Sequence, residues 1–198
     1  MKLFLILILL TLMAFFTYTA CNPTVDLSGT SSTTGSGTTK RIFVTANTFN
    51  GSFGSVAAAD TLCGVDANKP GAGTYKAMIV DTGGTRTASV SPNVGDGQGN
   101  WVLAANTTYI RTDGTVIFTT NANALFVFGT MTNAISTAFF NVWTGLNSDW
   151  TTAANTCTDW TSAVSNGNSG WANYTDNQSM IAGTNACGGS FALYCVEQ

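Results

Sequence analysis

The 198 residues contain no histidine. That absence removes Ser/His/Asp and Cys/His nucleophilic catalysis, and with it the commonest zinc ligand. Charge is also scarce: 7 Lys and Arg stand against 10 Asp and Glu, 9% of the chain, for a net −3. No basic stripe exists, so nucleic acid is not an expected partner, and heparin-like polyanions are disfavoured for the same reason. Proline occurs three times. After residue 16 no run is apolar for the roughly 20 residues that a membrane span needs. Paired carboxylates could in principle hydrolyse a glycoside, but Asp60, Asp66, Asp81, Asp96, Asp113, Asp149, Asp159, Asp176 and Glu197 sit in no acid–base motif. The glycines at 83–84 and 95–99 lack the following helix and Lys of a phosphate loop and read as loop hinges. No catalytic residue, metal or cofactor is expected. Polarity comes mainly from Thr, Asn, Ser and Gly, which offer neutral hydrogen-bonding groups.

What is present begins with the leader. Lys2 precedes a short apolar run over residues 3–16, and small Thr19 and Ala20 precede Cys21. One positive charge before a short greasy stretch has the layout of a signal peptide. A cysteine directly after small residues resembles the lipobox of bacterial lipoproteins, with Tyr18 standing where an aliphatic residue is usual. The resemblance implies acylation of Cys21 and attachment to membrane lipid, and several acyl chains give firm anchoring. An ordinary cleaved leader with Cys21 as a spare thiol is the alternative. The five cysteines are Cys21, Cys63, Cys157, Cys187 and Cys195. If Cys21 carries lipid, four remain, an even set for two disulfides with three possible pairings. The chain of 198 less a 20-residue leader leaves 178, enough for one domain and a tether.

Residues 21–39 join the lipidated cysteine to a Ser/Thr/Gly-rich tether, with a root-mean-square reach of roughly 25 Å. The domain is expected over residues 40–198. Residues 41–45 are β-rich. Residues 55–68 read as a helix, with Val56, Ala59, Leu62 and Cys63 at helical spacing, Ser55 able to cap it and residues 69–71 stopping it. Residues 75–80 are a second strand, and 81–100 a long loop. Asp113-Gly114 marks a hairpin turn between residues 109–112 and 115–118. An apolar run occupies 125–128, a second short helix is expected within 151–164, and 142–146 and 191–196 read as closing strands. The last strand is expected near the first, in an α+β domain.

The cysteines and their neighbours carry a family resemblance. Trp143-Thr-Gly-Leu146, Cys157 with Trp160 three residues on, and Phe191-Ala-Leu-Tyr-Cys195 followed by Val196 and Glu197 resemble endostatin, within the C-type-lectin-like fold. The whole chain is similar to leptospiral endostatin-like surface lipoproteins, which share the leader, the tether and segments like 106–114 and 119–121. The resemblance implies a mixed, mostly antiparallel sheet with one or two helices, long loops and nested disulfides Cys63–Cys195 and Cys157–Cys187. It also implies display at the outer membrane of a spirochaete and adhesion to laminin, fibronectin or complement factor H. Endostatin's histidine-based zinc site and arginine-dominated heparin surface have no counterpart here.

The sugar-binding triplets of calcium-dependent lectins are missing too; Trp171-Ala-Asn173 is a distant echo. Asn147, Asp149, Asn166, Asn168, Asn173 and Asp176 could supply calcium oxygens, but turn propensity explains them better. Trp143 and Trp160 are expected in the core, and Trp101, Trp150 and Trp171 either there or at a contact surface. The functional expectation is a non-catalytic binding module with unspecified ligand-contact residues. A carbohydrate-binding domain and a structural envelope protein are the alternatives.

Overall fold

Residues alternate across the first strand, Thr39–Val44 (β1): Ile42 and Val44 enter one apolar cluster and Phe43 the other. Successive strand side chains point to opposite faces, so β1 divides the core in two. The last strand, Tyr194–Glu197 (β8), does the same with Tyr194 and Val196 against Cys195. The two pair antiparallel, Phe43 opposite Cys195, so the last strand does lie beside the first. The structure, a computed structural model, describes residues 38–198. The leader, Cys21 and the tether to residue 37 lie outside the described residues.

Between these strands run the helix Val56–Val65 (α1), Tyr75–Ala77 (β2), Thr108–Ile110 (β3), Val116–Thr119 (β4), Asn141–Trp143 (β5), the four-residue turn Cys157–Trp160 (α2), Asn166–Trp171 (β6) and Gly183–Ala186 (β7). A five-stranded sheet has the order β2-β8-β1-β3-β4, and a three-stranded sheet β5-β6-β7. Among the strand pairs of the described residues only β1–β3 is parallel. The fold is therefore α+β with mixed sheets, two helical elements and two disulfides.

Ser55 caps α1 through its hydroxyl, which accepts from Ala58 N at 3.1 Å. Val56, Ala59 and Cys63 bury one face of the helix. The helix stops at Val65, ahead of residues 69–71, where Asp66 turns extended and its carboxylate accepts from Ala46 N and Asn68 N. The β3–β4 hairpin turns at Asp113-Gly114, with Gly114 at φ 88°. β2 is shorter than the apolar run 75–80, because Met78 and Val80 send their N–H groups to Tyr194 O and Thr144 O individually instead of along a ladder.

The second helix departs from the expected 151–164. It is one turn, and Cys157, Thr158, Asp159 and Trp160 all have φ between 52° and 67°. Left-handed helix costs roughly 1–2 kcal/mol per residue for L-amino acids, so tertiary anchors must hold it. Cys157 is disulfide-bonded to Cys187, Trp160 Nε1 donates to Val80 O at 2.9 Å, and Asp159 binds Thr82. Gly51 and Gly167 approach the Cys157 sulfur so closely that a Cβ on Gly167 would lie 2.6 Å from it.

The disulfides join Cys63 to Cys195 and Cys157 to Cys187, with sequence separations of 132 and 30. This is the nested pairing that the resemblance implies. Chain-entropy estimates give about 5 and about 3.6 kcal/mol respectively. Reduction should therefore lower the urea midpoint sharply, and the Cys63→Ala/Cys195→Ala variant should lose more than Cys157→Ala/Cys187→Ala. Unchanged unfolding in strong reductant would contradict this.

The other fixed point is Arg86, whose side chain is 0% exposed. Its Nη1 and Nη2 donate to the two oxygens of Asp60 at 2.9 and 2.7 Å, Nη1 also donates to Ala77 O, and Nε donates to Asn100 O at 2.9 Å. Asp60→Ala strands a buried guanidinium and should cost about 3–5 kcal/mol in chemical denaturation. The exposed pair Arg41–Glu197, 3.7 Å apart, should cost no more than about 1 kcal/mol when Arg41 is removed.

Candidate functional site

The carboxylates are drawn into local structure. Asp81 accepts from Arg86 N at 2.6 Å and Thr85 N at 3.2 Å. Asp96 gathers Val90 N, Ser91 N and the Ser91 hydroxyl, which hold its carboxyl below the usual range. These bonds close the 81–100 loop, and Gly84, Gly95 and Gly97 occupy its left-handed positions. Asp113 is lowered likewise by the Thr115 N–H and hydroxyl. Asp159 is partly desolvated, which raises its pKa. Bonds from Thr82 N, the Thr82 hydroxyl and the Thr156 hydroxyl outweigh this and lower it.

Four of the six candidate calcium donors are engaged in bonds within the chain. Asn147 binds Thr151 and Thr152, and Asp149 accepts from Thr151. Asn168 is buried, bridging Leu146 O and the Thr184 hydroxyl. Asn166 and Asn173 are exposed, and Asp176 caps the 3-10 turn Asn177–Ser179. Among the described residues no group of three acidic or thiol side chains could hold a metal ion.

The tryptophans divide differently from their sequence surroundings. Trp143 and Trp160 are core residues, donating to Phe49 O and Val80 O. Trp150, beside a polar loop in the sequence, is 1% exposed; it stacks on Phe128 at 4.8 Å and donates to Phe126 O. Trp101 is partly buried against it, 6.0 Å away. Trp171, partly buried like Trp101, packs against neither core cluster. It ends β6, half-buried, with Nε1 donating to Asn141 Oδ1 at 2.9 Å.

Around Trp171 the fold assembles an aromatic trio. Phe139 lies 5.9 Å from it at 50°, and Tyr174 5.0 Å at 48°. Such tilted pairs gain about 0.5–1.5 kcal/mol each beyond area burial. The pairing Asn141↔Trp171 at the end of β5 and β6 brings the two segments together. Ser136 N and Ala172 N then stitch them with bonds to Ala172 O and Phe140 O. Phe140 packs inward, while Phe139 is 57% exposed. Adjacent residues on an extended segment face opposite ways, so the Phe139-Phe140 pair was the available signal for an outward aromatic. Asn173 and Thr175 flank the trio as exposed neutral groups. No Lys or Arg occurs after Arg111.

Residues 46–175 match the family described as "Protein of unknown function (DUF1554)". The match spans more than half of the chain, which belongs to that family. It includes Phe139, Trp171 and Tyr174 and stops before Cys187 and Cys195. No curated protein matches the chain.

The lowered pKa of Asp159 predicts an acid limb in the stability profile. A carboxylate with a depressed folded pKa contributes fully above the unfolded value and loses its contribution as pH falls through the folded one. Asp159→Asn should therefore be less stable than the parent at neutral pH, with the gap narrowing on acidification. Thermal melts from pH 7 to pH 2.5 measure it; a gap independent of pH contradicts the role.

Proposed function

We propose that this chain is a lipid-anchored surface protein of the endostatin-like, C-type-lectin-like class, whose domain is a non-catalytic binding module. Its partners on this reading are extracellular-matrix proteins such as laminin and fibronectin, or complement factor H. The observation that carries the reading is the trio Phe139, Trp171 and Tyr174. Aromatics that reach the surface are the side chains that most often dominate protein contacts, and the chain's few cations form no basic stripe to favour a nucleic acid or heparin. Two disulfides fit an oxidising compartment outside the cytoplasm. The Lys2 leader and Cys21 support an acylated anchor at the outer membrane, with membrane lipid as the first partner.

A neutral glycan is the second reading. It is favoured by the amide and hydroxyl groups of Asn141, Asn173 and Thr175 beside the rings, in place of charges. Sugars could stack their C–H faces on the rings and use these groups for hydrogen bonds.

The test is binding of the purified, oxidised protein to laminin, fibronectin and factor H at two salt concentrations. Saturable binding should be lost on reduction and weakened roughly 30-fold by Trp171→Ala or Phe139→Ala, the loss of about 2 kcal/mol typical of a central aromatic. Absence of binding to all three, with binding to a neutral oligosaccharide, would transfer the site to the second reading. Cys21→Ala should release the exported protein from detergent into the aqueous phase; continued partition into detergent refutes the anchor.

A further inference from the structure

β1 is paired on its two sides over different halves of its length. Thr39, Lys40 and Arg41 lie in parallel beside Thr108, Tyr109 and Ile110 of β3. Ile42, Phe43 and Val44 lie antiparallel beside β8. Past Ile110 the chain turns into the Arg111–Gly114 hairpin, closed by Arg111 N to Thr115 O and Gly114 N to Arg111 O. Among the described residues no strand therefore continues β3 alongside Val44.

The hydrogen-bond parity says which groups this leaves open. Thr45 N donates to Leu193 O at 3.0 Å, and Leu193 N donates to the Thr45 hydroxyl at 2.9 Å. Thr45 thus faces β8, and in a strand the next residue's main chain faces the other way. Val44 obeys this: its C=O accepts from Asn68 Nδ2 at 2.9 Å, on the side away from β8. Its N–H is directed to that same side. A side-chain amide caps the carbonyl of this edge, and among the described residues the Val44 N–H beside it meets no acceptor.

That edge is one wall of a cleft of about 290 Å³, with Asn68, Arg111, Asp113, Ser136 and Thr137 around it. The volume suits one or two residues of a ligand, at the low end of small-molecule pockets. Arg111 is held there by Nε, which donates to Ala134 O at 2.8 Å. Arg41 and Arg86 have carboxylate partners; among the described residues Arg111 has none, and its terminal nitrogens bond to no acceptor. Ser136 Oγ accepts from Ala138 N at 3.1 Å, so its own proton can be donated outward. Asp113 is the one acid on the lining, and its Oδ1 is occupied by Thr115 N. The cleft is therefore rich in donors, and its guanidinium, in the field of Asp113 but not ion-paired with it, keeps its terminal nitrogens open to a ligand.

We propose that this cleft binds an extended peptide bearing a carboxylate. The peptide adds to the open edge of β1, accepting from Val44 N, and its carboxylate meets the Arg111 terminal nitrogens with help from Ser136 and Thr137. Strand addition supplies affinity through main-chain bonds, and guanidinium–carboxylate pairing supplies selectivity. The carboxylate could be a chain terminus or an acidic side chain, and both present the same two oxygens. The cleft adjoins the aromatic trio through Phe140 and the Ser136–Ala172 bond, so variants tell the two apart: Arg111→Gln for the cleft and Tyr174→Ala for the trio.

Three acetylated tetrapeptides distinguish the possibilities by NMR titration of the isotopically labelled protein: Thr-Val-Thr-Val with a free terminus, the same peptide amidated, and amidated Thr-Val-Thr-Glu. At least one carboxylate peptide should shift the Val44 amide and bind about ten-fold more tightly than the amidated control, as expected for a hydrogen bond to a charged group. Which of the two does so identifies the source of the carboxylate. Arg111→Gln should abolish that preference, with a destabilisation no larger than loss of the Nε bond to Ala134 O explains and with the binding partners of the Trp171 surface unchanged. Ser136→Ala should reduce it without removing charge. N-methylation of the peptide should weaken binding by disrupting the added strand. Equal affinity for acid and amide, or no shift at Val44, overturns the proposal. Equal shifts from acetate alone would also overturn it, leaving an anion site with no strand addition. In the free protein the Val44 amide should exchange faster than that of Thr45; equal protection would mean the edge is closed.

Discussion

Arg86 carries a full charge into the interior, and the chain around it is arranged to make that tolerable. Burying an unpaired cation is so costly that every nitrogen of the guanidinium must find an acceptor. Asp60 from α1, Ala77 O from β2 and Asn100 O from the far end of the 81–100 loop provide them. Three segments that share no continuous ladder are thereby fixed to one point. An ion pair of this kind adds little net stability over a well-packed apolar substitute. Its effect is geometric: a planar fork accepts few arrangements of its partners, so the loop cannot shift without stranding the charge.

The same economy of regular structure recurs through the domain. Strands of three to six residues leave much of the backbone to single bridges, to side-chain caps from Asp81, Asp96 and Asn68, and to the disulfides. The left-handed turn at Cys157–Trp160 is stable only because sulfur, indole and carboxylate anchors surround it. A scaffold held this way can present irregular segments firmly. The β5–β6 pair places Phe139 and Trp171 side by side at the surface, and the staggered pairing of β1 opens the Arg111 cleft. Both features arise where a ladder ends early.

Much of the fold was legible from local chemistry. Ser55 announced the start of α1, Asp113-Gly114 the hairpin, and the β-rich ends the central β1–β8 pair. The expected helix over 151–164 shrank to one turn because three long-range anchors overrode local preference. The surroundings of Trp150 suggested a surface equally well, yet its ring fills the interior between Phe126 and Phe128. Of the aromatic trio only Trp171 stood out in advance. Phe139 and Tyr174 become part of a surface only when β5 meets β6.

By itself, the sequence determined what depends on composition and near neighbours. Lacking histidine, it has no imidazole chemistry; its cations are few; with four cysteines after Cys21, it has material for two cross-links. Only the tertiary structure decided which partners those residues meet. Cys63 reaches Cys195 across 132 residues, and Arg86 finds Asp60 in a helix that precedes it by a strand and a loop. Among the described residues Arg111 forms no ion pair. Such pairings depend on chain paths and registers that bring distant residues within a few ångströms, and no local pattern encodes that proximity.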